Sequence, residues 1–141
     1  MVNLSVEDLS DMIVDLMSKE GCNCAEAMIK TMAQRFGFDP GLSRFGTVFG
    51  SGISRNADIC GLMNGGLIVI SLMFGRVNCE DREKEVKTYA VGSEYYRWFL
   101  DKHGKCCDIK GDPLVGPYDD CHEVARKAVP FLISLIEKHK A

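Results

Sequence analysis

No stretch of this chain is apolar for long enough to cross a bilayer. The longest such run, Leu67 to Phe74, falls far short of the roughly 20 residues a spanning helix needs. The N-terminus lacks the basic-then-apolar pattern of a signal peptide, so a cytoplasmic protein without membrane insertion is expected. No block of like charge is present. With 17 Lys and Arg against 20 Asp and Glu, the net charge is −3. That balance leaves no basic footprint for nucleic acid or an anionic membrane surface.

Several cofactor patterns are missing as well. Covalent haem needs CxxCH; Cys121-His122 has the ending, but Tyr118 stands where the first cysteine belongs. The HExxH pattern of zinc proteases is absent. His103, His122 and His139 show no ligand spacing, and surface or capping roles are expected for them. Adjacent residues on a helix point apart, so Cys121 with His122 makes a poor catalytic pair. The glycine-rich loop Phe49 to Ser54 lacks the lysine of a phosphate-binding loop. It is expected to pack closely beside Cys60. No strand alternation and no internal repeat is visible.

What the chain has in excess is cysteine: seven in 141 residues. An odd number without an export signal argues against a disulfide framework and for metal binding or thiol redox chemistry. The length suits one domain, 1–141. Hydrophobic residues at 46% and charged residues at 26% can build an ordinary soluble core.

Helical periodicity organises that core, and an all-α, single-domain bundle of about five or six helices with glycine-rich connections is expected. Residues 5 to 18 form an amphipathic helix capped by Ser5. Asn23 and Glu26 have capping-box spacing, which puts Cys24 at the first helical position of a helix that stops at Gly37. Asp39-Pro40-Gly41 is a turn before a short helix from about Leu42 to Val48. Asp58 is expected to cap the helix ending at Phe74, with Cys60 in its first turn. Asn78 is expected to cap a long helix from Cys79 to His103. Its aromatic set Tyr89, Tyr95, Tyr96, Trp98 and Phe99 belongs to the core or to an interface, which would admit a homodimer. Lys105 to Pro117 reads as a loop. The last helix is expected to start at Asp119 or Asp120; Asp120 and Glu123 suggest another capping box with Cys121 in the first turn, and Pro130 is expected to kink this helix.

Cys24, Cys60 and Cys121 thus share one arrangement: a thiol in the first turn of a helix, where the partial positive charge favours its ionised form. Such thiolates can converge on one site. A fourth, from Cys22, Cys79, Cys106 or Cys107, would complete a set suited to an iron–sulfur cluster or to zinc. The same groups can instead run thiol–disulfide exchange with Cys60 as the attacking thiolate.

These segments resemble those of the C-GCAxxG-C-C family, small proteins to which a redox role is ascribed. Asn23-Cys24-Ala25 resembles its first cysteine segment and Phe49-Gly50-Ser51-Gly52 its glycine loop. Cys60-Gly61-Leu62-Met63-Asn64-Gly65 resembles its central motif, Cys106 to Gly111 its third segment and Cys121 its fourth cysteine. The departures are Leu62, Ser51 and Ser71, larger than the family's usual residues and expected to narrow the space by the cysteines. The resemblance implies a helical fold. It also implies Cys24, Cys60, Cys106 and Cys121 as cofactor or metal ligands, with Cys22, Cys79 and Cys107 as extras. A related module is joined to haem domains in some cytochromes, where an iron–sulfur centre is expected. The leading expectation is therefore electron transfer or redox sensing through a cluster, with an unidentified protein redox partner. Zinc is the alternative metal. Metal-free thiol exchange and a helical interaction module with structural cysteines are the alternative functions.

Overall fold

The computed structural model describes residues 3–140. Among them are six α-helices and one 3-10 helix, with no strand. In chain order they are α1 (Val6–Ser18), α2 (Cys24–Phe36), the 3-10 helix Pro40–Phe49, α3 (Gly61–Phe74), α4 (Arg82–His103), α5 (Cys106–Ile109) and α6 (Asp119–Lys140). No described helix is long and apolar enough to cross a membrane.

The first two helices start where their caps direct. Ser5 accepts from the Asp8 N–H, and Asp8 accepts from the Ser5 N–H in return. Asn23 and Glu26 repeat this exchange at 2.8 and 3.0 Å, so Cys24 is the first residue of α2. Gly37 stops α2 in the left-handed conformation that a glycine adopts without strain.

One core joins the helices. Leu9 and Ile13 of α1, Met28 and Met32 of α2, Leu62 and Ile70 of α3, Tyr95 and Phe99 of α4, and Leu132 and Ile136 of α6 are all fully or almost fully buried in it. The Tyr95 hydroxyl donates to the Leu62 carbonyl at 2.8 Å, which satisfies a polar atom that burial would otherwise penalise. The aromatic set of α4 divides: Tyr95 and Phe99 enter the core, Trp98 stacks on Phe131 of α6, and Tyr89 and Tyr96 remain exposed.

Four local expectations are corrected. Asp58 does not cap α3; Cys60 does, accepting from the Leu62 N–H at 3.4 Å. The Asp58 carboxylate instead pairs with Lys105 at 3.4 Å. Asn78 does not cap α4 either. It accepts from the Glu80 N–H in a turn of its own, and Asp81, three residues on, caps the helix. The stretch after Gly104 is not all loop, because one helical turn forms over Cys106–Ile109. Finally, α6 begins at Asp119, the earlier of the two expected starts, so Asp120 lies inside its first turn and is not the cap of a capping box with Glu123. Cys121 remains in that turn, and α6 continues through Pro130.

Candidate functional site

The site forms where α2 and α3 cross at their N-terminal ends. Two positions on α3 hold the helices this close. A Cβ on Gly61 would lie 2.8 Å from Cys24 Sγ, and one on Gly65 would lie 2.7 Å from the Ala25 carbonyl oxygen. Both separations are below contact distance, so only glycine fits. Backbone and sulfur, rather than a cofactor, fill the space these glycines leave.

The loop from Gly50 to Ile59 closes over this crossing in an uncommon backbone conformation. Ser51, Gly52, Ile53, Ser54, Arg55 and Ala57 all have φ between 51° and 71°. Left-handed backbone costs a non-glycine residue about 1–2 kcal/mol. The loop offsets this with hydrogen bonds, among them Ser54 N–H to the carbonyl of Val48 in the preceding 3-10 helix at 2.9 Å and, within the loop, Asp58 N–H to the Gly52 carbonyl at 3.0 Å. Its far end is held by α5: the Cys106 N–H donates to the Asp58 carbonyl at 2.7 Å and the Cys107 N–H to Ala57 at 3.2 Å. The loop thereby brings Cys106 to the cavity and directs the Ser51 N–H at the Cys24 sulfur.

The cavity so enclosed has a volume of about 460 Å³, and five cysteines line it: Cys22, Cys24, Cys60, Cys106 and Cys121. The structure thus brings together the four cysteines singled out in the sequence and adds Cys22. Cys79 and Cys107 are exposed and do not line it. All seven are free thiols. Leu62 and Ser51 are on the cavity wall, as expected of residues able to narrow it. Ser71 is exposed on the far half of α3 and cannot.

The sulfurs differ in how readily they ionise. The Cys60 thiol hydrogen-bonds Cys24 and is the main reason Cys24 drops to about 7. Burial opposes that shift, and the backbone N–H groups of Ser51, Cys24 and Gly61 reinforce it. Cys60 pays the complementary penalty in proton affinity: its contact with Cys24, then burial, hold it well above the usual thiol range. Burial, then the charge of Cys24, raises Cys106 as well, and raises Cys121 to about 11. Burial also raises Cys22. Of the expected trio, only Cys24 is shifted toward the thiolate. A helix end contributes only about 0.3–1 kcal/mol in most settings, and desolvation together with a neighbouring negative sulfur outweighs it.

His122, Lys110 and Tyr118 were not singled out by spacing, yet they share the cavity wall. Their sequence signal is slight: the loop carrying Lys110 and Tyr118 simply lies between two of the cysteines. The other two histidines lie elsewhere. His139 pairs with Glu94 at 2.9 Å, and His103 packs edge-on against Trp98.

In kind, four thiols around one cavity suit an iron–sulfur cluster or zinc. In placement, no three His, Cys, Asp or Glu among the described residues are grouped to hold a metal ion.

Fold and site together define a small helical protein whose thiols share one cavity, with a single sulfur poised to ionise. The sequence profile described as "Putative redox-active protein (C_GCAxxG_C_C)" matches residues 22–134, and the chain belongs to that family. No curated protein and no solved structure matches the chain.

Proposed function

We propose that the protein carries out thiol–disulfide exchange, with Cys24 as the attacking thiolate and Cys60 as the resolving thiol. The observation behind this is the position of Cys24 Sγ, packed against Gly61 at the start of α3, the helix that Cys60 caps; there Cys24, alone of the cavity cysteines, is shifted toward its ionised form, chiefly by Cys60. A thiol with a pKa near ambient pH is the most effective attacker, because ionised fraction and nucleophilicity are balanced there.

The Cys24 thiolate attacks one sulfur of a substrate disulfide. That bond breaks, and the departing sulfur leaves as a thiolate and takes a proton from water. Cys24, now in a mixed disulfide, no longer carries charge. The main pressure holding Cys60 protonated is thereby removed, while the Leu62 N–H still favours its thiolate. Cys60 loses its proton to water, attacks Cys24 Sγ and expels the second substrate thiolate. Two electrons pass to the substrate, which leaves as two thiols, and a Cys24–Cys60 disulfide remains. An external dithiol reverses the exchange and restores the pair. Peptide mapping by mass spectrometry after mild oxidation should find Cys24–Cys60 as the dominant bridge. Scattered pairing, or none, rules this mechanism out.

A second reading rests on the shared cavity: Cys24, Cys60, Cys106 and Cys121 all line it. As placed they are not grouped to hold a metal ion; drawn closer together, these four would be the ligands of an iron–sulfur cluster, or alternatively zinc, and a cluster would supply one-electron transfer. Protein purified without oxygen should then contain iron and acid-labile sulfide and absorb visible light. A colourless, metal-free product removes this reading.

A further inference from the structure

We propose that the cavity admits small disulfides of anionic thiols and that Lys110 selects them. This rests on the exchange at Cys24 proposed above and names its substrate class.

Size is the first constraint. At about 460 Å³ the cavity falls in the range that encloses small molecules. Cys24 is reached through it, so a substrate sulfur has to enter.

Charge is the second. No Asp or Glu lines the wall, and Lys110 is its one permanently charged side chain. His122, also on the wall, adds no negative charge in either protonation state. Carboxylates do lie within range: Glu20 and Glu26 act on Cys22, and Asp120 acts on Cys121. Yet none of them lines the cavity, and Glu26 is engaged by the Asn23 N–H at 3.0 Å and the Thr47 hydroxyl at 2.7 Å. An anionic substrate approaching the Cys24 thiolate meets like charge, and Lys110 is the group that offsets it. Its positive charge is felt by both Cys106 and Cys121.

The rim around Lys110 is built rather than loose. Its ammonium lies 5.2 Å from the centre of the Tyr118 ring, and the Tyr118 hydroxyl donates to the Pro113 carbonyl at 3.2 Å. Ile109 and Pro113 beside it, and Met17 on the wall, offer apolar surface to a short carbon chain. The ligand that fits is a disulfide with a short apolar stem and a carboxylate.

Three disulfides of similar length test this: dithiodipropionate (anionic), hydroxyethyl disulfide (neutral) and cystamine (cationic). The full chain with Cys79→Ser and Cys107→Ser keeps exposed thiols out of the measurement. The rate of Cys24 oxidation by each is divided by its rate with a free small thiol. At low ionic strength the anionic probe should outpace the cationic one by about tenfold, a gap that narrows in about 1 M salt. Lys110→Glu should reverse the order and Lys110→Arg should preserve it. Equal normalised rates, or an order unchanged in Lys110→Glu, overturn the assignment. A protein disulfide oxidising Cys24 faster than any of the three also overturns it. If Cys24 reacts with none of them, the exchange chemistry itself fails, and the substrate assignment with it.

Discussion

Cys24 and Cys60 form a pair of unequal acids, and the inequality can be tested one atom at a time. Alkylation of Cys24 should rise with pH through a midpoint of about 7. Cys60→Ala removes the thiol donor and should move that midpoint upward; Cys60→Ser keeps a donor and should hold it low. The same pair reports on the α3 cap. Serine is a strong N-cap and alanine a weak one, so Cys60→Ala should also cost about 0.5–2 kcal/mol of stability, and Cys60→Ser much less. Stability follows from linkage. Cys24 sheds its proton at a lower pH in the folded protein than in the unfolded chain, where the ordinary value is 9.0. Its contribution is therefore fully present above that value and is lost as pH falls through about 7. Relative to Cys24→Ser, the protein should gain stability as pH rises across this window in denaturant titrations.

At the scale of elements, the crossing of α2 and α3 depends on what a methyl group would strike. Gly65→Ala places a Cβ 2.7 Å from the Ala25 carbonyl oxygen, and backbone cannot yield cheaply. A loss of about 1–3 kcal/mol is expected, with a weakened Cys24–Cys60 contact seen as a raised Cys24 midpoint. Gly92 on α4 is the control. A Cβ there meets only Leu67 Cδ2 at 3.7 Å, so Gly92→Ala should stabilise by about 0.5–1 kcal/mol. Thermal unfolding of the two variants distinguishes a glycine needed for approach from one that is not.

The caps explain how far these elements were legible beforehand. Ser5 and Asn23 each have a reciprocal acidic partner three residues on, and both helices begin where that local code places them. Asp58 and Asn78 carry the same cap chemistry but are claimed by other partners: Lys105 for one, a preceding turn for the other. A residue-by-residue scan cannot see such competition. Nor does composition signal the left-handed loop, since Ile53 and Arg55 disfavour its backbone and adopt it only because surrounding hydrogen bonds hold them there.

Over the whole molecule, burial sorts the seven cysteines into a cavity group and an exposed pair. Cys79 and Cys107 should be the first to react with a bulky thiol reagent in the folded protein, and mass mapping checks this. Changing both to serine should leave the Cys24 alkylation profile in place. The gathering of the cavity group was anticipated from caps and motif. Cys22, two positions before Cys24 on the other side of the Asn23 cap, was open as a fourth member on spacing and set aside by the motif, because its position depends on how α1 turns into α2. The Cys22 N–H donates to the Leu16 carbonyl at 3.0 Å, a bond that folds the chain end of α1 back toward the cavity.

The twisted segment over the crossing also links chemistry to mobility. Its Ser51 N–H faces a negatively charged sulfur only while Cys24 is reduced. Once that sulfur is locked in a bridge, the donor keeps only a neutral and weaker acceptor, and one anchor of a backbone already under conformational tension is weakened. Amide hydrogens from Ser51 to Ala57 should then exchange with deuterium faster in the oxidised protein than in the reduced one, while those in the middle of α6 keep their pace. The protein would in that way display its oxidation state on its surface, as a stretch of chain that loosens and tightens with a single bond beneath it.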